Sequence, residues 1–276
     1  MPDATKKTVS ASQVAALYDK SPYLTKWMLF QQFASGVNVE QEMNERMEIG
    51  TLLEDDILEL ARRRLRLDIT PNREYVRHAT LPLGCTTDAS IIDPSLGAGV
   101  VEAKSVDWLT WKETWTEEFA PPHIELQLQA QMLVLGSAWG LIPALVGGNE
   151  LRLYRRLPNQ EAFASISAEA VAFMKDVKEG NAPDPLGLPR ELPWLKAMYP
   201  ETKVGKIVEA PATADDLVAE YQEGTENGAL YDKQREAAKI KLLALAGEAE
   251  ILNTPKHSVY VKRDKRGAIR LTVKEH

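Results

Sequence analysis

Cysteine is almost absent from this chain: Cys85 stands alone among 276 residues. One thiol excludes an intramolecular disulfide, a multi-cysteine zinc site and a cysteine-ligated iron–sulfur cluster, and it points to a reducing compartment, the cytoplasm. Histidine is also scarce, and His78, His123, His257 and His276 have no metal-ligand spacing, so a zinc enzyme is not expected. Long apolar runs are missing. The longest, near Leu141–Val146, falls far short of the roughly 20 residues that cross a bilayer, and the opening MPDATKKTVS has no apolar signal segment. Neither membrane insertion nor secretion is expected. Gly205-Lys206 lacks the upstream glycine of a P-loop, and Gly136-Ser-Ala-Trp-Gly140 has Ala138 where a nucleophile elbow needs serine. Nucleotide binding and serine hydrolysis therefore have no support.

What the chain does have is ordinary globular composition, 44% apolar, with 33 basic against 40 acidic residues and a net charge of −7. Such a length allows one large domain or one domain with an appendage. Any contact with nucleic acid must rely on local basic patches, since the global field is repulsive. Candidates are Arg62, Arg63, Arg64 and Arg66, then Arg152, Arg155 and Arg156, and then the tail from Pro255, with seven Lys plus Arg against two acidic residues. Each reads equally well as a solvated face.

Ser10 and Gln13 have capping-box spacing ahead of a short helix that ends near Pro22, and a second helix is predicted over 23–34. Residues 41–67 carry apolar residues every three to four positions and read as helix, as does His123–Trp139 behind Pro121-Pro122. Cys85–Ile92 and Ala98–Ser105 flank a five-residue loop and read as a hairpin, and Leu141–Val146 with Glu150–Leu157 read as another strand pair. Trp108, Trp111 and Trp115 have the spacing of helix core, and His123 reads as a residue that packs or caps. A helix is predicted near 168–178, and five prolines between Pro183 and Pro200 then mark a boundary. Residues 1–200 form the expected main domain. Residues 201–276 form an extension: a helix at 213–222, a turn at 224–228, a helix at 229–246 and a β-hairpin at 258–273.

The chemistry sits on the first hairpin. Glu102 and Lys104 are two apart on one strand and share a face, and a hairpin centred on Ser95 sets position 88 against position 102. Asp88, Glu102 and Lys104 should converge. Two opposed carboxylates repel unless a cation lies between them or one holds a proton, and hard oxygen donors without histidine or cysteine favour Mg²⁺ or Mn²⁺. The carbonyl of Ala103 is a further donor. From spacing alone, a solvated hairpin face with one salt bridge remains open. Glu54 lies on the predicted 41–67 helix, and Gln127 and Gln131, four apart, share a face of the apolar helix.

In order, Val9-Ser-Ala-Ser-Gln-Val14, Met47-Glu-Ile-Gly-Thr-Leu-Leu-Glu54, Thr87-Asp88, Glu102-Ala-Lys104 and Gln127-Leu-Gln-Ala-Gln-Met132 resemble the YqaJ-type viral recombinase family, which includes phage lambda exonuclease, within the PD-(D/E)XK nuclease superfamily. The resemblance covers about residues 9–156. It implies an α/β restriction-endonuclease-like core with a mixed central sheet flanked by helices. It further implies that Asp88, Glu102 and the Ala103 carbonyl bind Mg²⁺ (or Mn²⁺), that Glu54 serves a second ion or its water, and that Lys104 activates the nucleophile. Gln127 would position water or phosphate, while Ser12, Thr86 and Gln131 would lie at a terminal 5′-phosphate or other DNA contact. The sequence departs from the family in having Thr87 before Asp88, and in lacking a Trp and an Arg ahead of Ser12, where Lys6 or Lys7 are the available cations.

The implied activity is Mg²⁺-dependent 5′ to 3′ hydrolysis of linear double-stranded DNA, leaving 3′ single strand for phage-type recombination inside a bacterial host. The implied assembly is a homotrimeric ring working with a single-strand annealing protein. Two other readings stand beside it: an endonuclease or nickase of the same superfamily, and a non-catalytic DNA-binding module of a recombination complex.

Overall fold

The computed structural model describes residues 7–39, 43–226, 232–263 and 268–275. Its chain divides into two compact units, one of residues 1–22 and 41–180, the other of residues 23–40 and 181–276.

In the first unit, a six-stranded mixed sheet forms around Trp139–Val146, whose eight residues are all buried. The hairpin Ala89–Asp93/Gly97–Val101 pairs Ala89 with Val101 and Asp93 with Gly97, the register centred on Ser95. Asp68–Pro71 adds the outer strand beside it, and Glu150–Arg156 runs antiparallel along the other side of Trp139–Val146. The second arm of the expected hairpin is interrupted. Gly97–Val101 and Lys104–Val106 lie parallel to Trp139–Val146 in a single register, Val101 against Leu141 and Lys104 against Ala144, with a gap at Glu102 and Ala103. Pro143 explains the gap. The Glu102 N–H donates to the Leu141 carbonyl at 3.0 Å, but the next donor in a parallel ladder would be the N–H that proline lacks. The Cys85 end of the first predicted arm also separates, because Leu83–Cys85 pairs with Val9–Ser10 and Val76–Arg77 in a small second sheet.

Helices cover both faces of the main sheet. Glu45–Leu65 starts at Asn44, whose side chain accepts the Met47 N–H, and sets Ile57, Leu58 and Ala61 against Ile91, Val101 and Leu141. Pro122–Leu135 has Pro122 in its first turn and sets Ile124, Leu128 and Met132 on the opposite face against Val100, Ile142 and Ala144. Its approach is close: a Cβ on Gly140 would lie 2.9 Å from the Leu128 side chain. Each fully buried Leu or Ile contributes about 1.5–3 kcal/mol relative to exposure. Trp111 and Trp115 join this core as their spacing predicts, whereas Trp108 is 49% exposed.

The second unit is more than a helical hairpin with a β tail. Lys203–Glu209 lies parallel to Ala249–Asn253, which continues antiparallel into His257–Arg263 and Ile269–Glu275. Helices Ala214–Glu226 and Asp232–Ala246 contribute Val218, Ile240 and Leu243 to its core, together with Trp194 and Leu195. The predicted turn at 224–228 lies partly in the first of these helices and partly outside the described residues. Residues 23–40 also belong here, not to the first unit: Trp27 and Met28 of helix Lys26–Ser35 pack in this core. Glu191 secures them. Wholly buried, it accepts from Thr25 Oγ1 at 2.8 Å and from the N–H groups of Leu186, Gly187 and Leu188. No helix among the described residues is long and apolar enough to cross a membrane.

Candidate active site

The interruption opposite Pro143 is where the polar residues of the first unit gather. Glu102 is 5% exposed, and three donors engage its carboxylate. Lys104 Nζ and Gln127 Nε2 donate to Oε1 at 2.5 and 2.6 Å, while Gln131 Nε2 donates to Oε2 at 2.6 Å. Both glutamines come from Pro122–Leu135, one turn apart on the face that looks at Glu102. Asp88, across from Glu102, accepts the Ala103 N–H at 2.7 Å. A main-chain N–H just beyond the last hairpin pair, Ala89 with Val101, thus fixes the second carboxylate.

Burial, then the neighbouring Glu102, pushes the Asp88 carboxyl up to about 7, with Lys104 pulling it down and Glu54 adding repulsion. Burial acts on Lys104 in the other direction, but Glu102, Asp88 and Glu54 outweigh it and hold the ammonium above its ordinary range. His123, in the first turn of Pro122–Leu135, is depressed by burial and by the Lys104 charge, so its imidazole is held neutral beside the cluster. Cys85 is pushed up to about 11 by burial and by Glu102.

Glu54 comes from the helix on the other face of the sheet and enters the field of Asp88, but its carboxylate is bound by Arg73, Nη2 to Oε1 at 2.9 Å. Arg73 also holds Asp55 at 2.8 Å. Sequence reasoning missed Arg73, because it lies in an irregular loop between short strands where no periodicity marks it. Ser12 is exposed, with its hydroxyl 3.2 Å from that of Ser10. Thr86 is exposed, and its carbonyl accepts from Gln131 at 3.1 Å. Gln131 itself is wholly buried, so its amide is spent on Glu102 and Thr86 rather than turned outward, and its Oε1 has no partner among the described residues. The structure therefore joins Asp88, Glu102, Ala103, Lys104, Gln127 and Gln131, sets Glu54 at their edge under Arg73, and leaves Ser12 on the surface.

This donor set suits a hard divalent cation. Among the described residues no three His, Cys, Asp or Glu side chains form a metal-binding group. A carboxylate pair is nevertheless enough for Mg²⁺, which keeps several waters and takes only one or two carboxylates alongside substrate phosphate. Burial raises the Asp88 carboxyl most and the Glu102 charge next, and the one ammonium nearby donates to Glu102; a cation held between the two carboxylates would relieve their repulsion.

Residues 3–138 match the model of the YqaJ-like viral recombinase domain. No curated protein matches the sequence. The fold is similar to that of an alkaline exonuclease from Laribacter hongkongensis, with 24% identity and a TM-score of 0.52 over 63% of this chain and 89% of that one. The same exonuclease in complex with dAMP aligns at 23% identity, with a TM-score of 0.52 and the same coverage, 63% and 89%. A phage-related exonuclease from Haemophilus somnus aligns at 12% identity, with a TM-score of 0.47, over 63% of this chain and 95% of its own. At these identities the likeness to the Laribacter protein is one of fold: a mixed sheet flanked by helices.

Proposed function

We propose, from the match of residues 3–138 to the YqaJ-like viral recombinase domain, that the chain is a member of that family and a metal-dependent exonuclease acting on linear double-stranded DNA from 5′ ends. The observation that carries the reading is Glu102, held through both oxygens by Lys104, Gln127 and Gln131 directly across the sheet from Asp88. Three donors satisfy the buried charge of Glu102, and in doing so they pre-set the carboxylate for a ligand.

Asp88, Glu102 and the Ala103 carbonyl would hold Mg²⁺ or Mn²⁺, with Glu54 available to a second ion on release from Arg73. Bound there, the cation supplies Lewis-acid stabilisation of charge on the phosphate and a more acidic bound water. The remaining work falls to the protein. Lys104, kept cationic, donates to the attacking water or to a phosphate oxygen, and Gln127 offers a second N–H beside it. Gln131 positions Glu102 and does not touch the substrate. Exposed Ser12 and Thr86 are placed in this reading at the terminal 5′-phosphate. The product would be 3′ single strand for recombination, made by a homotrimeric ring that delivers it to an annealing protein.

The test is digestion of linear duplex labelled separately at 5′ and 3′ ends, in Mg²⁺ or EDTA, with Lys104→Ala and a closed-circle control. Release from 5′ ends that needs Mg²⁺ and Lys104 and spares circles is the expected result. Cleavage of circles would make the protein an endonuclease, and inertness with folded protein would leave a binding module.

A further inference from the structure

Several basic residues of the first unit are held in ion pairs, although among the described residues Arg64, Arg66 and Arg155 are not. Arg62 and Arg63 both bind Glu59 at 2.6 Å, Arg152 is paired with Glu117 and with Glu150, and Arg156 binds Glu125 at 2.6 Å. The outer face of the C-terminal sheet differs. His257–Arg263 and Ile269–Glu275 alternate strictly, turning Val259, Val261 and Leu271 into the core and Tyr260, Lys262, Arg270, Thr272 and Lys274 outward. Register sets Lys262 directly opposite Arg270, and both are exposed. Lys274 is exposed as well, with its ammonium 5.0 Å from the centre of the Tyr260 ring. None of the three cations has an ion-pair partner among the described residues. The nearby acids are Glu209, which lies on the far strand and accepts from Asn253 at 3.2 Å, and Glu201 and Glu250, which line a cavity together with Lys262; among the described residues none of them forms an ion pair with the three cations.

Like charges directly opposed on neighbouring strands are destabilising, and nothing in the packing of this sheet requires them. In a chain of net charge −7, an unneutralised cationic row on a regular sheet face is complementary to a polyanion. We propose that this face binds the phosphate backbone of duplex DNA through Lys262, Arg270 and Lys274, a DNA contact in the second unit separate from the Asp88–Glu102 site. Duplex rather than single strand is favoured because single-strand sites offer bare aromatic rings for stacking, whereas the ring here is capped by Lys274. The inference rests on the nuclease reading for its choice of polymer, though not for its test.

The test is fluorescence anisotropy of a labelled duplex with the full chain carrying Lys104→Ala in EDTA, titrated across salt concentrations, with and without K262Q/R270Q/K274Q. The triple variant should lose about tenfold in affinity near 0.1 M salt and flatten the log–log salt dependence by about 2–3, since each phosphate contact contributes about 0.9. Its thermal midpoint should hold or rise, because the opposed charges are gone, and K262R/R270K/K274R should bind like the parent. Unchanged affinity and slope would overturn the proposal, as would a greater loss for single strand than for duplex. Binding through this face by a chain that cuts no DNA would refute the nuclease reading and leave this one standing. Normal end digestion with an unaffected triple variant would do the reverse.

Discussion

Gln131 Nε2 lies 2.6 Å from Glu102 Oε2 and 3.1 Å from the Thr86 carbonyl, so one buried amide ties the interrupted strand to the loop ahead of Asp88. Gln131→Leu would leave both acceptors without that donor, at a cost of about 1–3 kcal/mol. It would also weaken divalent-metal binding by about 10–100-fold by loosening Glu102. Denaturant melts and Mn²⁺ calorimetry measure the two effects separately. Retained metal affinity in a destabilised variant would reduce Gln131 to a structural role.

Asp88→Asn should abolish cleavage and yet stabilise the metal-free protein at pH 8. Burial and Glu102 raise the folded carboxyl to about 7, against about 4 for an unfolded aspartate. The stabilisation from its extra proton affinity is therefore complete below about pH 4 and is lost as pH rises through about 7. Asparagine avoids that loss, for a gain on the order of 1–2 kcal/mol. Thermal midpoints in EDTA from pH 5 to 8 should fall more steeply for the parent than for the variant, and Mg²⁺ should raise the parent more at pH 8 than at pH 6.

Arg73 competes with any cation for Glu54. Arg73→Ala should strengthen Mn²⁺ binding, by about two- to fivefold given how exposed the arginine is. Adding Glu54→Gln should erase that gain. If the gain survives without the Glu54 charge, Glu54 takes no part in metal binding.

Cys85 should be inert. Its thiol is buried and pushed up to about 11 by burial and by Glu102, so the thiolate is scarce at pH 8. Alkylation should be negligible in native protein and complete in denaturant. Rapid labelling of folded protein would show that the Leu83–Cys85 strand opens.

Glu191→Leu should destabilise the second unit by about 3 kcal/mol or more, because it leaves the Thr25 hydroxyl and three main-chain N–H groups unsatisfied in a buried position. Chemical denaturation would register the loss, and hydrogen exchange would place it in helix Lys26–Ser35.

The parts legible in sequence were those set by local period. The hairpin register follows from the loop centre, and Pro122–Leu135 follows from its apolar spacing. Period two also puts Glu102 and Lys104 on one face, where they meet at 2.5 Å. Long-range partners were not legible. The apolar pattern of helix Lys26–Ser35 shows that it is buried, but not that it joins a core made from residues 181–276. Lys203–Glu209 is a mostly exposed strand defined by its parallel neighbour, so its own pattern announces nothing. The prolines from Pro183 to Pro200 suggest a boundary, yet they lie inside the second unit, where Pro189 and Pro193 open short helical turns. Trp108, spaced like its buried companions, ends half exposed, stacked on Trp111 with ring centroids 5.4 Å apart.

Since residues 23–40 are lent to the second unit from within the first, the chain passes between the two units three times. No single proteolytic cut can therefore release either as an intact piece, and a fragment ending at Gly180 would carry Trp27 and Met28 away from the residues that cover them. Synthesis meets the same constraint in time. Helix Lys26–Ser35 leaves the ribosome early and has nothing to pack against until the chain beyond Asn181 has been made. This short apolar segment is thus the place where a chaperone would be most needed and where aggregation of a nascent or truncated chain would begin.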